Sequence, residues 1–288
     1  MPESVSSQQQ PVRESFGSRL AAAMADRGPL CVGIDPHPQL LADWGLNDDV
    51  AGLERFSLTV VEAVASLAAA VKPQVALYER HGSAGMAVLE RTLAACSEAG
   101  VLSIADAKRG DIGSTMAAYA DAWLRDGSSL AADSVTLSPY LGFESLRPAL
   151  DLAAQCGRGV FVLALTSNPE GKSVQHVGGS DSVARRIAAA AAVENQRYNG
   201  SLGSVGLVVG ATIGSALEEL GVELGPVRGA ILAPGLGAQG ATPADLRATF
   251  GEAYSSVLAT SSRGILAAGP SVEALRAATQ ETLEGLRA

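Results

Sequence analysis

Charge is scarce in this chain: 18% of its 288 residues are Asp, Glu, Lys or Arg, and the balance is −9 at pH 7. That excludes a basic surface broad enough to displace the counterions of a nucleic acid. Any anionic ligand must instead meet a local cluster of cations. Aromatic residues make up only 4%, and there are three cysteines and three histidines. Cys31, Cys96 and Cys156 are odd in number, widely spaced and set in apolar surroundings, so reduced buried thiols and a cytoplasmic location are expected. His37, His81 and His176 lack the spacing of a metal site, and none is expected. Apolar stretches are interrupted well short of the ~20 residues that span a bilayer, so no membrane partner is expected. Met1 to Ser15 is polar, with Gln8-Gln9-Gln10 and no hydrophobic centre, so residues 1–15 read as a mobile tail and not a signal peptide.

What remains is a globular composition, 47% apolar with a mean hydropathy of +0.20. Strand-like runs are expected at about 30–35, 69–73, 101–106, 133–137, 159–165, 205–210, 229–233 and 256–260. Helical patterns alternate with them, among them Ala51–Leu67, Ala84–Ala99, Ser114–Arg125, Ser182–Asn199, Pro243–Phe250 and Val272–Leu286. Eight such repeats without a linker predict an α/β fold, a closed (β/α)8 TIM barrel spanning 16–288 as one domain. A doubly wound open sheet is the alternative, but no G-x-G-x-x-G follows the first run. The one match to that spacing, Gly235 to Gly240, follows the seventh. Thr166 to Asp181, rich in Ser, Asn, Pro and Gly, is long for a connection and is a candidate lid.

The charges that do occur gather where apolar runs end. Asp106-Ala107-Lys108-Arg109-Gly110-Asp111 follows Val101 to Ala105, and Asp35, Lys72 and Arg263 stand just after three other runs. In isolation, D-x-K-x-x-D reads as a solvated strand-to-helix turn, with Asp111 capping a helix from about Ile112. Recurrence at several strand ends changes the reading, because the carboxyl ends of parallel strands converge on one barrel face. Lys72, Asp106, Lys108 and Asp111 would alternate in sign, each charge stabilised by an opposite neighbour in a partly dry pocket. A lysine kept as ammonium beside carboxylates suits a proton donor better than a Schiff-base nucleophile. Interleaved lysines also argue against a hard cation, which prefers unpaired carboxylates. The loops after the seventh and eighth runs carry Gln239, in glycine-rich sequence, and Arg263-Gly264; such loops commonly hold phosphate. Gln239 reads equally well as a polar turn residue.

Taken together and in order, these motifs resemble the orotidine 5'-phosphate decarboxylase family, in its longer bacterial branch. The carriers run from Gly33-Ile34-Asp35-Pro36 and Val71-Lys72-Pro73-Gln74 through Asp106 to Thr115, Ser138 to Gly142 and Thr166 to Gly171, ending at Pro234 to Gly240 and Ser262 to Ile265. The resemblance implies decarboxylation of orotidine monophosphate to UMP in pyrimidine synthesis, with no metal or organic cofactor. By the family pattern, Asp35 and Lys72 would hold ribose hydroxyls and Asp106 would face the substrate carboxylate. Lys108 would protonate C6, Ser167 would touch the pyrimidine, and Gln239, Arg263 and Gly264 would bind phosphate. Family members are homodimers with shared sites, in which Asp111, Ile112 and Thr115 would reach the neighbouring subunit. The sequence departs from the pattern at Ser138, where the long branch often has asparagine, and in its polar tail. Two rivals are a metal-dependent sugar-phosphate decarboxylase or aldolase on the same barrel, and a catalytically silent nucleotide-binding barrel.

Overall fold

In a computed structural model that describes residues 13–237 and 240–288, the eight apolar runs become parallel strands. They are β1 (Leu30–Ile34), β2 (Ala70–Pro73), β3 (Leu102–Arg109), β4 (Ser134–Leu137), β5 (Gly159–Leu165), β6 (Gly203–Val209), β7 (Gly229–Pro234) and β8 (Val257–Ser261). Each pairs with the next and β8 returns to β1, so the barrel closes and the open sheet is set aside. The strands read as continuous apolar runs because both of their faces are covered. β1, β6 and β8 are buried at every position.

The outer faces pack on crossover helices whose apolar residues recur at helical spacing. In Val272–Arg287, for example, Leu275, Thr279, Leu283 and Leu286 are buried, and Ser271 caps the helix by accepting the Ala274 N–H. Thr242 caps Pro243–Phe250 through a reciprocal arrangement with Asp245. Among the described residues no helix is long and apolar enough to cross a membrane.

Inside the barrel, a separate core joins Cys31, Ala70, Ile104, Phe161, Leu232 and Leu258 to Phe16 and Leu20. The last two lie on a helix, Phe16–Arg27, that the hydrophobic pattern did not single out. The Phe16 ring meets Phe161 edge-on, centroids 5.9 Å apart, and seals the end of the barrel remote from the strand carboxyl termini. A β-carbon at Gly159 would lie 2.1 Å from the Phe16 ring and one at Gly206 2.4 Å from Phe161, so this contact requires glycine in both strands. Truncating a buried phenylalanine of this kind costs about 3–5 kcal/mol.

Two boundaries differ from those the sequence suggests. Residues 13–15 are docked and not loose: Arg13 donates to Asp126 Oδ1 at 2.8 Å and to the Cys156 carbonyl at 2.9 Å, and Ser15 caps the first helix. Residues 1–12 of the expected tail lie outside the described residues. The third strand does not stop at Asp106 but continues to Arg109. Arg109 pairs in register with Leu137, and its guanidinium lies 5.7 Å from the ring centres of both Tyr119 and Trp123. That gives the charge a covered place at the strand end.

Candidate active site

Residues two apart in extended chain share a face, so Lys72 and Gln74 point the same way, while Lys108, where β3 is irregular, turns its side chain back to Asp106. Their strands are neighbours, and Gln74 pairs with Asp106 as an isolated parallel bridge. The four side chains therefore meet over the carboxyl ends of β2 and β3. Lys72 Nζ donates to Asp106 Oδ2 at 2.7 Å and Gln74 Nε2 donates to the same oxygen at 3.1 Å. Lys108 Nζ donates to Oδ1 at 2.6 Å, and the Thr136 hydroxyl donates there at 2.9 Å. Four donors fill the accepting capacity of one carboxylate.

Burial disfavours a charged Asp106, but the Lys72 and Lys108 ammonium groups outweigh it and hold the carboxyl well below the usual carboxylate range. Burial likewise disfavours a charged Lys72, yet Asp106 and Asp35 raise it above the ordinary lysine range. The pair is ionised throughout the neutral region. Lys108 is placed differently: 47% of its side chain is exposed, against 8% for Asp106. It is also one of two non-glycine residues described with a positive φ, at +48°. For such a residue the left-handed region costs about 1–2 kcal/mol.

Together these groups line one wall of a cavity of about 310 Å³ at the barrel mouth. Asp35, Ser262 and Arg263 line another part of it, and Leu163, Val208 and Leu232 supply an apolar portion. Ser262 Oγ donates to Asp35 Oδ2 at 2.5 Å, while buried Asp35 Oδ1 finds no partner among the described residues. Gly33 makes that pairing possible, because a β-carbon there would lie 2.8 Å from Ser262 Cβ and 3.2 Å from Asp35 Oδ2.

The structure thus brings Asp35, Lys72, Asp106, Lys108 and Arg263 to one cavity. It does not bring Asp111 there. Gly110 packs against the Ser138 carbonyl, too close for a β-carbon, and the chain then turns outward. Asp111 Oδ1 accepts only the Ile112 N–H, and Ile112 and Thr115 are exposed outside the cavity lining. Within one chain the alternation of charge therefore ends at Lys108. Nor does Asp111 cap the following helix, which begins at Gly113 with Ile112 in the cap position and no side-chain cap. Ser167 is exposed and lines an adjoining pocket that shares Thr166 with the first. Gly264 is exposed just past Arg263, outside the cavity lining, and Gln239 lies outside the described residues.

Thr136 had no assigned role, because one threonine in Ser134-Val135-Thr136-Leu137 reads as an ordinary β-branched strand residue. Gln74 could have been found from its i+2 spacing to Lys72. His37, also without an assigned role, is exposed and lines the cavity.

Comparison with known proteins agrees with this geometry. Residues 28–278 match the model of the Orotidine 5'-phosphate decarboxylase / HUMPS family. An orotidine 5'-phosphate decarboxylase of Streptomyces coelicolor is 58% identical over 267 residues, covering 92% of this chain and 94% of that protein. A Streptomyces avermitilis structure assigned to the same activity has a TM-score of 0.91 at 56% identity, covering 99% of this chain and 98% of that one. The structure of the Leishmania donovani OMP decarboxylase has a TM-score of 0.76 at 32% identity, covering 95% and 98% of the two chains. The chain therefore belongs to the Orotidine 5'-phosphate decarboxylase / HUMPS family, on its decarboxylase side, and is an enzyme of the carboxy-lyase class.

Proposed function

We propose that the barrel-mouth cavity converts orotidine 5'-phosphate to UMP and carbon dioxide by charge stabilisation at C6, without a metal or organic cofactor. The observation that carries this reading is Asp106 held between Lys72 at 2.7 Å and Lys108 at 2.6 Å at the cavity wall. Loss of carbon dioxide leaves an electron pair in an sp2 orbital at C6 that the ring π system cannot delocalise. The barrier must fall by electrostatics, and a tethered ammonium open to the cavity is suited to that task. The C6–carboxyl bond breaks with its electron pair remaining on C6, and the proton passes from Lys108 Nζ to C6. Solvent then returns a proton to the neutral amine. Asp106 faces the leaving carboxylate and keeps both lysines oriented.

The unpartnered Asp35 Oδ1, with Lys72 beside it, suits ribose hydroxyls. The forked guanidinium of Arg263 and the backbone of Gly264 bind phosphate, with Gln239 assigned there from its motif. Ser167 contacts the pyrimidine from the loop 166–181, and phosphate binding supplies energy to close that loop over the ring. Both oxygens of Asp106 are already taken by lysine ammonium groups, a donor set that suits ion pairs better than a hard cation.

The enzyme acts as a cytoplasmic homodimer whose sites are completed by Asp111, Ile112 and Thr115 of the partner chain. Support comes from the adjoining loops after β3 and β4, where Ile112 is 61% exposed, Tyr140 77% and Leu141 54%. Large apolar side chains exposed together mark an interaction surface. The test is loss of orotidine monophosphate absorbance with excess chelator present. Undiminished turnover supports this reading; activity that vanishes with EDTA and returns with magnesium supports the metal-dependent rival, and nucleotide binding without turnover supports the silent barrel.

A further inference from the structure

We infer that Thr136 is a positioning residue for Lys108, acting through a strand irregularity; the inference rests on Lys108 being the proton donor. Regular pairing of β3 with β4 is interrupted between Ala105↔Val135 and Arg109↔Leu137, so that Asp106, Ala107 and Lys108 stand opposite Thr136 alone. Extra residues in one strand leave backbone groups without ladder partners and re-aim their side chains. Here the Thr136 hydroxyl takes the place of the missing rung. It accepts the Lys108 backbone N–H at 2.9 Å and donates its proton to Asp106 Oδ1 at 2.9 Å.

The direction of these two bonds is fixed by chemistry. An ionised carboxylate only accepts, so the single hydroxyl proton must go to Asp106, and a lone pair is left for the Lys108 N–H. One buried hydroxyl, 1% exposed at the residue level, therefore sets the spacing between the Lys108 backbone and the oxygen that receives the Lys108 ammonium. It also braces the positive φ of Lys108. Lys72 and Gln74 act on the other oxygen, Oδ2, from β2, and cannot replace this link. Without the hydroxyl, Lys108 keeps its partner carboxylate but loses the brace that holds its backbone.

The test compares Thr136→Val, close in shape but without the hydroxyl, with Thr136→Ser, which retains it; Thr136→Ala serves as a second hydroxyl-free variant should the valine variant not fold. Three quantities are read: amide hydrogen exchange at Lys108, kcat and KM for orotidine monophosphate, and affinity for UMP. The valine variant should exchange the Lys108 amide roughly tenfold faster, as expected for a lost hydrogen bond. Its kcat should fall on the order of 10²-fold, the scale of a misplaced reacting group. KM and UMP affinity should stay within about threefold of wild type, because remote substrate contacts are unchanged. Serine should restore both exchange and kcat. Unchanged exchange at Lys108, undiminished kcat in a folded hydroxyl-free variant, or a serine variant as slow as valine overturns the inference. Faster Lys108 exchange in the valine variant, together with a wild-type enzyme that turns over no substrate, counts against the proposed reaction and leaves the Thr136 link standing.

Discussion

The Lys72 ammonium meets Asp106 Oδ2 at 2.7 Å across the boundary between β2 and β3, with 7% and 8% of the two side chains exposed. Removing Asp106 takes the nearest counter-ion from a buried ammonium. Asp106→Ala should therefore destabilise the fold by about 3–5 kcal/mol, the cost of leaving a buried charge unpaired. Urea denaturation at pH 7 measures this, and an unchanged midpoint and slope would contradict the buried pairing.

The pH dependence of that loss follows from the direction of each shift. Burial opposes the charged form of Asp106 and the lysines override it, so the folded-state value lies below the ordinary 3.8. Its stabilising contribution is complete above the unfolded value and fades as pH falls through the lower folded one. Lys72 is the mirror case. Burial opposes its charge, Asp106 and Asp35 prevail, and its contribution is complete below 10.5 and fades as pH rises through the higher folded value. The stability difference between wild type and Asp106→Ala should accordingly shrink as pH falls below about 4. A difference that stays constant down through the acid range would contradict the ion pair.

Arg263 lines the same cavity, is exposed, and makes no ion pair with the described residues. Its forked guanidinium is available to an anion. Arg263→Ala should weaken UMP binding by roughly 10- to 100-fold, the value of charge-assisted hydrogen bonds, with little effect on thermal stability. Calorimetric titration with UMP, and with uridine as the phosphate-free control, separates the phosphate contribution. Equal affinity of variant and wild type for UMP would remove Arg263 from the phosphate site.

Asp111 and Lys108 should belong to different halves of a shared site. Asp111→Ala and Lys108→Ala chains should each have little activity alone. Mixed by unfolding and refolding, they should recover about a quarter of wild-type turnover, because half the dimers are mixed and each holds one intact site. No recovery in a confirmed mixed dimer would place both residues in the same site.

The barrel was legible because each strand is buried on both faces and so stands out as an apolar run, as in Leu30–Ile34 and Val257–Ser261. Asp35, Lys72, Asp106 and Arg263 were legible because charge at such run ends has few structural uses. Other features depend on contacts with no local signature. Phe16 and Leu20 earn their burial from Phe161 and the barrel interior, far along the chain, so the sealing helix could not be inferred from its own weak pattern. At the end of the extended β3, Arg109 pairs with Glu79 and lies over Tyr119 and Trp123, all brought there from elsewhere in the sequence. Thr136 acquires its role only where β3 and β4 fall out of step. Asp111 leaves the charged row because Gly110 turns against the Ser138 carbonyl, a backbone contact that charge spacing does not reveal.

On the proposed mechanism the Lys108 ammonium, tethered to Asp106 and open to the cavity, delivers the proton to C6. The most direct measurement is single-turnover decarboxylation by Lys108→Ala together with its affinity for UMP. The rate should fall by at least about 10²-fold, the scale of a lost general acid, with UMP still bound through phosphate and ribose contacts. Wild-type turnover in that variant would contradict it.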